Sequence, residues 1–127
     1  MYDIELVYDI IQQIIDAIET IHDRFKPIKV VNNFTDSPRG KEKLDSICLQ
    51  IAAIGESLKK IDSITKGVLF SKYPAIDWKG AKAMRDIISH HYFDVDADVI
   101  YDVCANKLHP MKEVLHKILD LDLTSKR

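Results

Sequence analysis

Within eight residues, Arg85-Asp86-Ile87-Ile88-Ser89-His90-His91-Tyr92 gathers a guanidinium, two imidazoles and a phenol. A guanidinium keeps its proton in water, and its planar fork suits the spread charge of a phosphoryl group. An imidazole titrates near neutrality, so it can take or give a proton during a reaction. Arg85 is therefore a candidate phosphate stabiliser and His90 a candidate acid or base. Asp86 stands four residues before His90, where a hydrogen bond could orient the imidazole or the carboxylate could simply be solvated. The stretch falls at a junction. Ala81 to Ile88 has small and apolar residues suited to a helix, and Phe93-Asp94-Val95-Asp96 suits a turn and a new helix start.

Spacing constrains how these groups meet. Five residues of a straight helix turn about 500°, so Arg85 and His90 would point about 140° apart. Arg85 and Tyr92, seven residues apart, would share a face. For Arg85 and His90 to act on one phosphate, the helix must end or distort near Ser89, or a second subunit must contribute. A symmetric dimer with this stretch at its two-fold axis would bring two arginines and two histidines together.

The pattern of Arg, four residues, His, any residue and Tyr resembles the active-site motif of the HEPN superfamily. More narrowly it is similar to the HepT toxins of HEPN–MNT toxin–antitoxin pairs. The likeness extends to Ile54-Gly55-Glu56, to Tyr73-Pro74-Ala75-Ile76-Asp77-Trp78, to Met84-Arg85 and to His90-His91-Tyr92-Phe93, in that order. His91 stands where the family more often has a small residue, and the motif register assigns the imidazole role to His90.

The resemblance implies an all-α fold and a metal-independent endoribonuclease without a cofactor, built as a homodimer. Such chemistry needs a base for the 2′-hydroxyl, an acid for the leaving 5′-oxygen and positive charge for the phosphorane. Arg85 and His90, duplicated across a dimer, form a sufficient minimal set. The resemblance also implies an MNT-type nucleotidyltransferase antitoxin that transfers AMP to Tyr92. Lys79, Lys82 and His91 would extend a local basic track for an RNA backbone. The rival reading is a HEPN-fold adaptor without catalysis, docking on a nucleotidyltransferase and helping to bind nucleotide.

Chain totals fit this picture. A length of 127 residues predicts a single domain, 1–127, large enough to bury a core. Apolar residues at 46% and charged residues at 30% exclude a disordered chain. A net charge of −2 excludes a global basic field, so any RNA contact must rest on a local patch. Cys48 and Cys104 lack metal-ligand spacing and read as buried free thiols of a cytoplasmic protein. The acidic, amphipathic N-terminus does not read as a signal peptide, and no apolar run reaches the roughly 18 residues of a membrane span. Asp94, Asp96 and Asp98 alternate, yet the glycine and closing glutamate of a calcium loop are missing.

Periodicity predicts an antiparallel bundle of about five helices, two of them long and N-terminal. The first spans about Asp3 to Phe25 on a seam of Ile4, Val7, Ile11, Ile14, Ile18, Ile21 and Phe25, which Leu6, Ile10 and Ile15 widen. Lys26 to Gly40 reads as a loop with a short turn near Ile28 to Val31. Ser37 and Pro38 read as cap and first residue of a second helix reaching about Lys66. Gly67 is its expected stop. Gly55, costly inside a helix, suggests close approach of another backbone, and Glu56 beside it is either solvated or a partner of Arg85. Val68 to Ile76 reads as a connection. Asp77 should cap a third helix with Trp78, Ala81, Met84, Ile87 and Ile88 inward. Asp96 should cap a fourth, and Pro110 should fall in the first turn of a fifth that ends near Leu121 before a short polar tail.

Overall fold

A computed structural model describes residues 2–123, so the expected polar tail, from residue 124 onward, lies outside the described residues. The fold is an all-α, antiparallel bundle, and no strand occurs among the described residues.

Helix α1 runs Ile4–Phe25, with the Asp3 side chain accepting from the Leu6 amide at 3.1 Å as its N-cap. The middle of its seam sinks as the spacing predicts: Val7, Ile11, Ile14, Ile18 and Ile21 are buried and Ile10 and Ile15 widen the buried face, whereas Ile4 and Phe25 at the ends are half-buried and Leu6 is exposed. Helix α3, Pro38–Thr65, is the longest element, capped by Ser37 on the Gly40 amide at 3.0 Å. It is also the centre of the fold, contacted by both α1 and α5 (Trp78–His90). Its end turns left-handed one residue earlier than expected: Lys66 has φ 54° and Gly67 φ 75°.

Two expected connections contain a turn of helix. Between α1 and α3, α2 (Asn32–Thr35) buries Phe34, and the Asn33 carbonyl side chain accepts from the amides of Lys29 and Val30 at 2.8 and 3.1 Å. The ordered turn thus lies just beyond Ile28–Val31, because Phe34 supplies the apolar anchor. After α3, α4 (Val68–Ser71) buries Leu69 and Phe70. Phe70 stacks on Trp78 with ring centroids 4.1 Å apart, and the indole N–H donates to the Tyr73 carbonyl at 2.9 Å. Trp78 is core, as expected.

The expected fourth and fifth helices are one continuous helical stretch. It comprises α6 (Ala97–Asp102), a π turn (Val103–Lys107) and α7 (Leu108–Leu121). The Leu108 amide reaches back five residues to the Val103 carbonyl, a wider turn that lets the chain pass Pro110 without a break. Asp96 caps this stretch through the Asp98 amide at 2.8 Å. Both cysteines are buried and free, and burial pushes each thiol up to about 12, which keeps them protonated and unreactive. No helix among the described residues is long and apolar enough to cross a membrane.

Candidate functional site

Helix α5 starts at Trp78 because Asp77 accepts from the Gly80 amide at 2.9 Å. It stays regular to its last residue, His90, and the His91 amide still reaches the Ile87 carbonyl at 2.8 Å. The chain then tightens into a 3-10 turn, Tyr92–Asp94. Helical geometry therefore holds across the whole interval from Arg85 to His90, and the two side chains leave the axis about 140° apart. Ile87, expected inward, lies on the outer side and is 43% exposed, because a register that buries Ile88 turns its neighbour away. Phe93 is fully exposed.

Four side-chain contacts stitch this segment to α3. Lys82 pairs with Asp62, Asp86 with Lys59, Arg85 with Glu56, and the Tyr92 hydroxyl donates to Asp45. As one helix advances the partner recedes, so the two are antiparallel. Gly55 permits the closeness. A Cβ there would lie 2.7 Å from the Arg85 Cβ and 3.0 Å from the Ala81 carbonyl oxygen, which confirms the close approach that its cost inside a helix suggested.

Arg85 sits between two carboxylates. Its Nε lies 3.1 Å from Glu56 Oε1 and its Nη1 3.2 Å from Asp86 Oδ1. Glu56 is thus a partner of Arg85 and not merely solvated. Asp86 Oδ1 also accepts from Lys59 Nζ at 2.8 Å, and none of its hydrogen bonds goes to His90. Lys59 and Arg85 together hold the Asp86 carboxyl below the usual carboxylate range, Lys59 being the stronger influence. His90 and His91 are both exposed. Lys79 is exposed as well, whereas Lys82 is engaged with Asp62 and about a quarter exposed.

Tyr92 is half-buried, and its ring end is turned back to α3. Burial above all, and then the Asp45 carboxylate, push its hydroxyl well above the ordinary phenol range. Asp45 and Glu56 are eleven residues apart, about 16 Å along α3. The Tyr92 hydroxyl and the Arg85 guanidinium therefore dock at separate places on one face. Lys59 and Asp45 were missed by sequence reasoning. Their only local signal is that they recur at helical spacing around Ile54-Gly55-Glu56, and charged residues at such spacing are usually solvated surface.

The sequence matches the family described as Ribonuclease HepT-like over residues 14–118. This chain belongs to the HepT-like ribonuclease family. The match includes the whole of α3 and α5 and so all four of the stitching contacts. Among curated relatives, a Methanocaldococcus jannaschii protein named "Putative RNase MJ0127" is 27% identical over 117 residues, covering 91% of this chain and 87% of its own. A second from that organism, "Putative RNase MJ1216", is 27% identical over 105 residues, covering 78% of this chain and 84% of its own. No solved structure matches the chain significantly.

Two further features of this HepT-like chain lie away from the motif. A cavity of about 560 Å³ opens against Gly80, Ala81 and Met84 of α5, floored by Ile51, Ile54 and Met111, and is lined by none of Arg85, His90 and Tyr92. His22 and His109 lie with ring centroids 6.4 Å apart. Among the described residues no three His, Cys, Asp or Glu side chains are grouped to hold a metal ion.

Proposed function

We propose that the chain is a metal-independent endoribonuclease acting as a homodimer, with Arg85 and His90 as its central residues. The observation that carries this reading is the intact Arg85–His90 pair on a regular helix in a chain of the HepT-like ribonuclease family. Arg85 neutralises charge on the phosphorane while His90 moves a proton to or from the ribose oxygens. The 2′-oxygen bonds to phosphorus as its proton leaves, the bond from phosphorus to the 5′-oxygen breaks, and that oxygen takes up a proton. One copy cannot easily aim both groups at one phosphate, since they diverge by about 140° on the helix. A two-fold partner supplies the missing group, with exposed Ile87 and Phe93 beside the motif as apolar surface for the contact.

The reading extends to regulation. An MNT-type nucleotidyltransferase serves as antitoxin: the Tyr92 oxygen bonds to the α-phosphorus of ATP as its proton leaves, and pyrophosphate departs. The Tyr92 hydroxyl must first leave Asp45, after which the attached phosphate places new negative charge and bulk at the end of α5.

The test is cleavage of total cellular RNA in EDTA by the purified protein, Arg85→Ala and His90→Ala. Cutting that survives chelation and vanishes in both folded variants supports the nuclease. Equal cutting by all three marks a contaminant and sinks it. No cutting by any, with AMP on Tyr92 excluded by mass spectrometry, moves the reading to a non-catalytic adaptor subunit. Mixing the two inactive variants tests the shared site: exchange of subunits should restore about a quarter of the activity if Arg85 and His90 act across the two-fold.

A further inference from the structure

Asp86 Oδ1 receives two cations at once, Lys59 Nζ at 2.8 Å from α3 and Arg85 Nη1 at 3.2 Å from α5. The Lys59 contact has the length of a charge-assisted hydrogen bond to an oxyanion, and the Arg85 contact is longer. Glu56 holds the opposite edge of the guanidinium through Nε at 3.1 Å, which turns the Nη edge toward Asp86. Glu56 and Lys59 are three residues apart on α3, hence neighbours on one face. One helix therefore provides both the anion that aims Arg85 and a second cation beside it.

We propose that Lys59 and Arg85 form a two-cation clamp for an RNA phosphate, and that the Asp86 carboxylate oxygen marks the place a phosphate oxygen takes. This rests on the ribonuclease reading above and adds Lys59 to its site. The four charges Lys59, Arg85, Glu56 and Asp86 cancel in the unbound protein. Asp86 marks the place because its Oδ1 is the one oxygen that both cations share, whereas Glu56 reaches Arg85 alone and on the far edge of the guanidinium. When Asp86 swings out, a lysine and an arginine face one oxygen. Arg85 then supplies directional donors and Lys59 a movable point charge. Lys82 does not share this role: its ammonium is closed off by Asp62.

A second reading of the same contacts is a surface ion network that only fastens α5 to α3. The two readings predict opposite signs for the two partners of one bond. As a fastening, Lys59→Ala and Asp86→Asn would act alike. As a clamp with its place held, removing Lys59 weakens RNA binding, and neutralising Asp86 strengthens it.

The experiment is equilibrium binding of a fluorescent 2′-O-methyl oligoribonucleotide, which cannot be cut, across a series of salt concentrations. Wild type, Lys59→Ala, Lys59→Arg and Asp86→Asn are compared, with thermal unfolding of each recorded. Lys59→Ala is expected to weaken binding about tenfold, the size of one charge-assisted contact. It should also flatten the salt slope by about 0.7, the share of one phosphate contact on a single strand. Lys59→Arg should regain most of the affinity, and Asp86→Asn should bind more tightly than wild type. Wild-type affinity in Lys59→Ala, or weakening by Lys59→Ala and Asp86→Asn alike, overturns the clamp. The outcomes separate from those of the nuclease test. RNA cutting at the wild-type rate by Lys59→Ala sinks the clamp and leaves the nuclease standing. Binding with the predicted signs but no cutting sinks the nuclease and leaves the clamp. No binding by the wild type overturns the clamp.

Discussion

Helices α5 and α7 are nearly the same length, 13 and 14 residues, and are held in place differently. Helix α7 buries Leu108, Met111, Leu115, Ile118 and Leu119, whereas α5 buries only Trp78 and Ile88. Helix α5 lies against α3 through a glycine contact and a ladder of polar pairs, and it leaves Ile87 and the charged motif facing out. A helix fastened by polar groups at its edges keeps those groups near the surface, where the proposed clamp has a phosphate exchange for one of them. A helix fastened by apolar burial has nothing to exchange. The difference separates the scaffold from the candidate site.

The comparison should break most visibly in the core. Leu115→Ala removes a fully buried side chain of α7 and should cost about 3 kcal/mol, while Ile87→Ala on the outer side of α5 should cost less than about 1 kcal/mol. Urea unfolding of the two variants measures both, and equal losses would erase the distinction drawn between the helices.

Gly55→Ala should come next. Gaining a better helix former is worth about 1 kcal/mol, but a methyl against the Arg85 Cβ and the Ala81 carbonyl must push α5 from α3. The net loss should be about 1–2 kcal/mol in urea unfolding, with RNA cleavage falling further than stability because Arg85 moves. A neutral or stabilising result would mean that the helices part without cost.

Lys82→Ala tests the ladder itself. The Lys82–Asp62 pair is only about a quarter exposed on each side, so its loss should cost about 1 kcal/mol, more than the outermost pair, Lys26–Asp23, whose side chains are about three-quarters exposed. Thermal unfolding of Lys82→Ala beside Lys26→Ala compares them, and equal shifts would show that burial of the pair adds nothing.

The smallest effect is one of pH and belongs to the scaffold. Burial first, then Lys112 and His109, lower the pKa of His22 below its ordinary 6.5. The unfolded chain then binds a proton more readily than the folded one as pH falls through 6.5, so stability is full above that pH and declines below it. Glu19 and Asp23 oppose the shift without reversing it. Thermal unfolding between pH 7.5 and 5 should show a shallower decline in His22→Gln than in wild type. A steeper decline in the variant would reverse the sign assigned to His22.

Much of the scaffold was legible because its signals are local. Alternating three and four residue steps marked α1 and α3, and Ser37, Asp77 and Asp96 were readable as caps because a cap needs only its own first turn. Gly55 was readable as a close approach, since a glycine inside a helix needs a reason. The merging of α6 and α7 was not readable: Pro110 ordinarily signals a start, and only the packed bundle shows the π turn that carries the chain past it. Ile87 was misplaced for a related reason, because an apolar pattern covering 81–88 does not say which edge of the stripe reaches the core.

For the site, the sequence alone determined which chemical groups are present and how they are spaced: Arg85, His90 and Tyr92 on or beside one helix, in a chain whose pattern points to the HepT-like family. Only the tertiary structure decided what those groups meet. It turned Asp86 away from His90 toward Lys59 and Arg85, aimed Arg85 with Glu56, and docked Tyr92 on Asp45. The physical reason is sequence distance. Helical periodicity links residues three or four apart, whereas Lys59 and Asp86 are separated by 27 positions and Tyr92 and Asp45 by 47, and such groups meet only when apolar burial has already set one helix against another.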